Sequence, residues 1–168
     1  MINYPYLPLG RKILYVPESD VFIRVAISTA RELSKDKLQP TGAVIVKDSY
    51  IIGKGANQVI LKNPRLQELH RKRFCLRKLL KVKSGTKYWL CPACSTNRIH
   101  AEAQAVLNAK KNNQSIEGAD LYLWGHWWCC KPCWDKMIEA GIKNVYLLEG
   151  SEKLFSASHS ENILGKQF

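Results

Sequence analysis

Four side chains in this sequence have the types and spacing for metal-assisted hydrolysis: His100, Glu102, Cys130 and Cys133. One imidazole and two thiolates form a ligand set that Zn²⁺ accepts. Catalytic zinc sites keep three protein ligands and leave the fourth position to water. Water held there becomes hydroxide near neutral pH. Glu102 follows the histidine by two residues, near enough to carry protons without binding the metal.

Taken singly, these features say little. A C-x-x-C reads as a redox pair about as readily as a metal site, and a lone histidine at a helix start is usually structural. The joint pattern is far more specific: H-x-E on a helix, about thirty residues with a strand among them, then C-x-x-C on a second helix. Zinc deaminases of nucleobases carry H-x-E followed by P-C-x-x-C. Here Cys129 stands where that pattern has proline. Cys129 and Cys133 are spaced C-x-x-x-C, so Cys129 is the poorer ligand and is expected to be a small buried residue. Helix N-termini lower thiol pKa values, and Lys131 is expected to add to this. The reaction that follows is hydrolytic deamination. Water attacks C4 of a cytosine ring, while Glu102 takes the water proton, delivers it to N3 and assists ammonia loss.

Cys91 and Cys94 form a second C-x-x-C, with Cys75 and His70 upstream. His70, Cys75, Cys91 and Cys94 would make a closed Cys₃His set of the kind structural zinc sites use. His159 or His126 could replace His70. The plainer alternative makes Cys75 a buried helix cysteine and His70 a surface residue.

The elements that position these groups follow from periodicity and punctuation. Residues 1–18 read as an extended arm packed by its tyrosines. Ser19 or Asp20 caps a first helix whose buried face is Val21, Phe22, Val25, Ala26, Thr29 and Leu33. Residues 43–46 and 50–52 read as two strands joined by a turn. Gly53 and Gly55 then permit close approach of a ligand. Asn57 is a candidate for a substrate sugar hydroxyl or an ordinary turn asparagine. Residues 65–82 and 100–111 read as helices, and residues 121–124 as a buried strand. Cys130 opens a helix ended by Gly141, and residues 144–148 form the next strand. That strand–helix–strand spacing predicts a parallel βαβ unit. A further strand is possible near Leu154-Phe155.

Thr41–Asp48, Ile51–Asn57, His100-Ala101-Glu102 and Cys130/Cys133 together resemble the cytidine and deoxycytidylate deaminase superfamily over roughly residues 20–150. The deoxycytidylate (dCMP) deaminase branch is nearest, since it often carries extra zinc ligands between the second strand and the catalytic helix. The resemblance implies an α/β fold, a three-layer α/β/α sandwich with a mixed central sheet. It also implies that Asn57 binds the substrate sugar, that Ala101 contacts the substrate, that Glu102 shuttles the proton, and that the chain forms a homo-oligomer. Two departures fall near the pocket: residues 125–129 intervene before the thiolates, and Gln104 stands where the family has asparagine.

The 168 residues suit one deaminase domain, 1–168, with a basic zinc-binding insertion at about 62–97. No run of eighteen apolar residues is present, so no membrane-spanning helix is expected. Without an export signal, the paired cysteines point to reduced, metal-binding thiols and a cytoplasmic setting. Net charge is +12, and residues 62–87 hold ten Lys or Arg against one acid, Glu68. Such a segment suits a nucleotide phosphate or a nucleic-acid backbone, or is simply a solvated face. The five tryptophans would serve the core or a subunit interface, line a base pocket, or stack on nucleic-acid bases. Three functions therefore compete. The first is deamination of a free cytosine nucleotide, dCMP to dUMP. The second is deamination of a base in tRNA or single-stranded DNA. The third is a non-catalytic zinc module that binds nucleic acid, and Glu102 argues against it.

Overall fold

Alternate residues of Gly42–Lys47 face opposite ways, and both ways are apolar. Ala43 and Ile45 join one core cluster, Val44 and Val46 the other. A strand patterned like this must be covered on both faces. The computed structural model, which describes residues 5–36, 39–83, 86–91 and 99–168, shows how it is covered.

The strands are β1 (Ile13–Val16), β2 (Gly42–Lys47), β3 (Tyr50–Ala56), β4 (Asp120–Trp124) and β5 (Asn144–Leu148). They form one mixed sheet in the order β1-β5-β4-β2-β3. β1 with β5 and β5 with β4 are parallel, while β2 runs antiparallel to both β4 and β3. Helix α1 (Val21–Leu33) covers one face through Ile23, Ala26 and Ala30. The short helix α6 (Ser151–Phe155) adds Phe155 to that cluster. Helices α4 (Ala101–Lys111) and α5 (Lys131–Glu139) cover the other face. The expected three-layer α/β/α arrangement with a mixed sheet is present, and β4-α5-β5 is the expected parallel βαβ unit.

Four local expectations need correction. The arm contributes β1, a sheet edge registered on β5, because its Ile13–Val16 run finds an open parallel partner. In α1, Asp20 is the cap and accepts from the amides of Phe22 and Ile23, both at 2.9 Å. The buried stripe is Ile23, Ala26, Thr29 and Ala30, whereas Val21 and Leu33 are exposed because the helix ends overhang the sheet. Residues 65–82 are not one helix. They divide into α2 (Pro64–Leu69), a π-helical turn His70–Phe74 and α3 (Leu76–Leu79). Residues 154–155 are helical rather than a strand, since α6 starts at once from Gly150 in the left-handed region (φ 71°).

Gly53 and Gly55 permit a close approach, but to a helix and not to a ligand. A methyl on Gly55 would collide with the backbone of Ala101 and Ala105, and one on Gly53 with Ala105 and Ala109. The alanines of α4 and these glycines let the helix lie directly on β3. The start of α4 is thereby fixed against the sheet edge.

Candidate metal centre and pocket

Two helix starts face each other across one end of the sheet. His100 is the N-cap of α4 and Cys130 the N-cap of α5, each with extended backbone and no side-chain cap bond. Their side chains are therefore left for other partners. Cys133 follows in the first turn of α5, where Pro132 suits a position that needs no amide donor. His100 Nδ1 lies 3.3 Å from Cys133 Sγ and 3.5 Å from Cys130 Sγ, and the sulfurs are 3.2 Å apart.

These donors fit a tetrahedral zinc. Sulfurs at about 2.3 Å from the ion lie about 3.8 Å from each other, so the two thiols need separate by only about half an ångström. The titration of the donors points the same way. The hydrogen bond from Cys133 pulls Cys130 down to about 5 against burial, with His100 helping. Cys133 is pushed well up by holding that shared proton and by burial. For His100, burial works toward the neutral form but is outweighed by the hydrogen bond to Cys130 and the charge of Glu102, and its pKa is raised. Buried donors that compete for protons are relieved when a divalent cation replaces those protons.

Glu102 sits in the first turn of α4 and is only 6% exposed. Burial raises its pKa, and His100 opposes the rise. Burial, and then the charge of Glu102, push the Cys129 thiol well up. Cys129 is fully buried, as expected for a small residue in the place of proline. Its electrostatic link to the carboxyl was not legible from spacing alone. Lys131 does not support the thiolates. Its ammonium pairs with Asp135 at 2.7 Å on the outer face of α5, one helical turn on.

These groups open into a cavity of about 180 Å³. Asn57 and Ala101, the two residues expected to contact substrate, line it beside His100, Glu102 and Cys130. Asn57 Oδ1 accepts from the Thr41 amide (2.9 Å) and the Ser34 hydroxyl (2.6 Å), and its Nδ2 donates to the Gln39 carbonyl (2.9 Å). It thus ties the end of α1 to the start of β2 while facing the pocket. His126 and Trp128 also line the cavity. They come from residues 125–129, the stretch that departs from the family pattern, and that departure was the available signal. His126 Nδ1 accepts from the Trp127 amide at 3.1 Å, and burial lowers its pKa to about 4, with His100 adding. Of the other tryptophans, Trp124 and Trp134 are core residues and Trp89 is 76% exposed.

Arg77 and Tyr88 complete the wall. Arg77 belongs to the basic segment read as suited to a phosphate, but nothing singled it out from its nine basic neighbours, and Tyr88 was marked only by its position between Cys75 and Cys91.

His70, Cys75 and Cys91 converge in a second cluster, with donor atoms within 4.8 Å of one another. Cys75 and Cys91 are buried, and His70 Nε2 is 3.4 Å from Cys91 Sγ. The π turn explains the meeting. It closes with a wider loop than an α-helical turn, and such turns recur at functional sites. Cys94, the fourth expected ligand, lies outside the described residues.

The model of a protein family, the cytidine and deoxycytidylate deaminase zinc-binding region, matches residues 17–149. No curated protein sequence matches the chain. Among solved structures, the chain is similar to a diaminohydroxyphosphoribosylaminopyrimidine deaminase/5-amino-6-(5-phosphoribosylamino)uracil reductase from Thermotoga maritima. Identity is 26% and the TM-score 0.44, over 75% of this chain and 28% of that one. It is similar to dCMP deaminase from the cyanophage S-TIM5 (24%, TM-score 0.44, 74% of this chain and 80% of that one). It is also similar to guanine deaminase from Bacillus subtilis (22%, TM-score 0.44, 77% and 62%). The chain spans little more than a quarter of the length of the first of these structures.

Proposed function

This chain belongs to the cytidine and deoxycytidylate deaminase family, and from that premise we propose that it is a zinc-dependent hydrolase that deaminates a cytosine nucleotide, dCMP to dUMP. One observation carries the reading: His100, Cys130 and the buried Glu102 line a single cavity, and Cys133 completes the donor cluster with His100 and Cys130 just behind it.

His100, Cys130 and Cys133 would hold the zinc. When bound, the metal supplies the Lewis acidity that makes water a nucleophile at neutral pH. Glu102 does the proton work. Its raised pKa suits a group that accepts the first proton of water and gives it to ring N3, then carries the second, from the oxygen now on C4, to the departing amine. The cavity is smaller than the 300 Å³ or so of a typical drug-sized site, so it suits a single base, with sugar and phosphate toward the mouth. His126 and Trp128 close the far wall and exclude water from the base. A second zinc on His70, Cys75, Cys91 and Cys94 would brace the insertion, and a homo-oligomer is the working assembly. Among the described residues no helix is long and apolar enough to cross a membrane.

A second reading, deamination of a base within tRNA or single-stranded DNA, has its own support. Trp89 and Phe74 are 76% and 63% exposed in the basic insertion, where stacking on bases would use them. Ammonia or uracil release on dCMP, deoxycytidine, tRNA and a cytosine-bearing single strand decides between the two. Turnover of dCMP supports the first reading, and turnover of polynucleotide alone replaces it with the second.

A further inference from the structure

Ten basic residues crowd positions 62–87, yet they are not equivalent in space. Among those whose side chains are described, only Arg77 is withdrawn from solvent, and the rest are exposed. Arg77 is also the only lysine or arginine among the described residues lining the cavity that holds Glu102. Its guanidinium lies over the Tyr88 ring, 4.3 Å from the centroid, and its Nε donates to the Thr86 carbonyl at 3.1 Å. Tyr88 in turn packs edge-on against His100. The fork is therefore braced on one face and along one edge. Its Nη donors have no hydrogen-bond partner among the described residues.

We propose that Arg77 is the residue that grips the phosphate of the substrate, with Tyr88 holding the guanidinium at the pocket wall. The proposal rests on the nucleotide reading above and names the contact that makes the phosphate necessary. A braced planar fork with an open Nη edge is the geometry that takes two oxyanion oxygens at once. The half-buried position puts it where a base-sized cavity meets solvent, which is where a phosphate attached through a sugar must lie. Asp36 shares the lining, and its Oδ1 accepts from the Gln39 amide at 3.2 Å, so the anion must sit on the Arg77 side. A terminal monoester of a free nucleotide and a diester inside a strand present the same oxyanion oxygens. The fork serves either.

The test measures binding by calorimetry on the zinc-loaded full chain, in a Glu102→Gln background that prevents turnover. Ligands are nucleoside and 5′-monophosphate pairs of cytosine, guanine and adenine, and a cytosine-bearing single strand. The phosphorylated partner is expected to bind about 30-fold more tightly than its nucleoside, a charge-assisted pair's worth. Arg77→Gln should close that gap and leave nucleoside affinity unchanged. Arg77→Lys should restore part of it, and Lys78→Gln, on an exposed neighbour, should leave it intact. A gap seen with monophosphates assigns the monoester, and one seen only with the strand assigns the diester. If guanine or adenine replaces cytosine as the preferred base while the gap still depends on Arg77, the cytosine reading fails and this assignment stands. The assignment is overturned if no ligand shows a gap, if the gap survives Arg77→Gln, or if Lys78→Gln closes it equally.

Discussion

Tyr88 meets His100 edge-on, with ring centroids 5.2 Å apart and ring planes at 78°. A residue of the basic insertion thus leans on His100, a candidate metal donor at the start of α4. Burial, with Cys130 adding, pushes the Tyr88 hydroxyl well above its ordinary value, so it stays protonated throughout the working pH range. The ring rather than the charge does the positioning. Tyr88→Phe should hold kcat/KM within about threefold. Tyr88→Ala should lower it about tenfold, the upper end of what an aromatic pair contributes. Steady-state kinetics on protein of matched zinc content reads both, and equal losses in the two variants would assign the effect to the hydroxyl instead.

Glu102 is the group on which the hydrolytic reading turns. Glu102→Gln keeps shape and removes the proton acceptor. It should retain the same zinc content and lose about 10²- to 10⁴-fold in kcat, the range for one general acid–base group. Metal analysis and single-turnover assays check this together. Activity close to that of the parent would remove Glu102 from proton transfer.

Much of the site was legible because its groups sit where local rules put them. His100 and Cys130 are N-caps, and Glu102 and Cys133 lie in the turns that follow. Helix starts can be read from punctuation, so the sequence spacing carried the geometry with it. The sheet was legible where apolar runs alternate faces, as in β2 and β4. Tyr88, and the choice of Arg77 among ten basic residues, were not legible, because they reach the pocket through tertiary folding with no periodic signal. The break at residues 70–75 was hidden too. Leu66, Leu69, Leu76 and Leu80 suggested one helical face, but all four are exposed. The side chains that turn the chain inward there are His70 and Cys75, so the donor cluster, and not a leucine stripe, shapes the segment.

His126 gives the fold a pH dependence of definite sign. Burial, then the nearby His100, holds its folded pKa at about 4, below the ordinary 6.5. The unfolded chain therefore binds more protons between those values, and stability falls as pH drops from about 6.5 to about 4. A depression of this size is worth about 3 kcal/mol. His126→Asn keeps an acceptor for the Trp127 amide and cannot titrate. Urea melts of zinc-loaded protein at pH 7 and pH 4.5 should show a smaller acid penalty in the variant, by about 2–3 kcal/mol. Equal penalties would mean that His126 titrates normally.

Helix α4 lies directly on β3 because Gly53 and Gly55 have no side chains, and the approach is tightest at Gly55. A methyl there meets the backbone of both Ala101 and Ala105, which cannot rotate away. Gly55→Ala should cost about 2–4 kcal/mol of stability, at the high end for overpacking. Since Ala101 adjoins His100, the variant should also bind zinc less tightly, as read by competition with a chromogenic chelator. Unchanged stability would show that α4 can move off the sheet.

The second cluster brackets the two wall residues in sequence. Cys75 precedes Arg77 by two positions and Cys91 follows Tyr88 by three. A metal on His70, Cys75 and Cys91 would close this loop at both ends and hold Arg77 and Tyr88 against the pocket without touching the substrate. Cys75→Ala should therefore reduce zinc from near two per chain to near one, leaving the ion on His100, Cys130 and Cys133. Its kinetic signature should be a rise in KM of about tenfold with kcat changed far less, because the proton machinery around Glu102 is intact. Parent protein that carries close to one zinc after careful preparation would show that these thiols bind no metal. Loss of kcat with KM unchanged would show that the cluster acts on the catalytic helix rather than on the pocket wall.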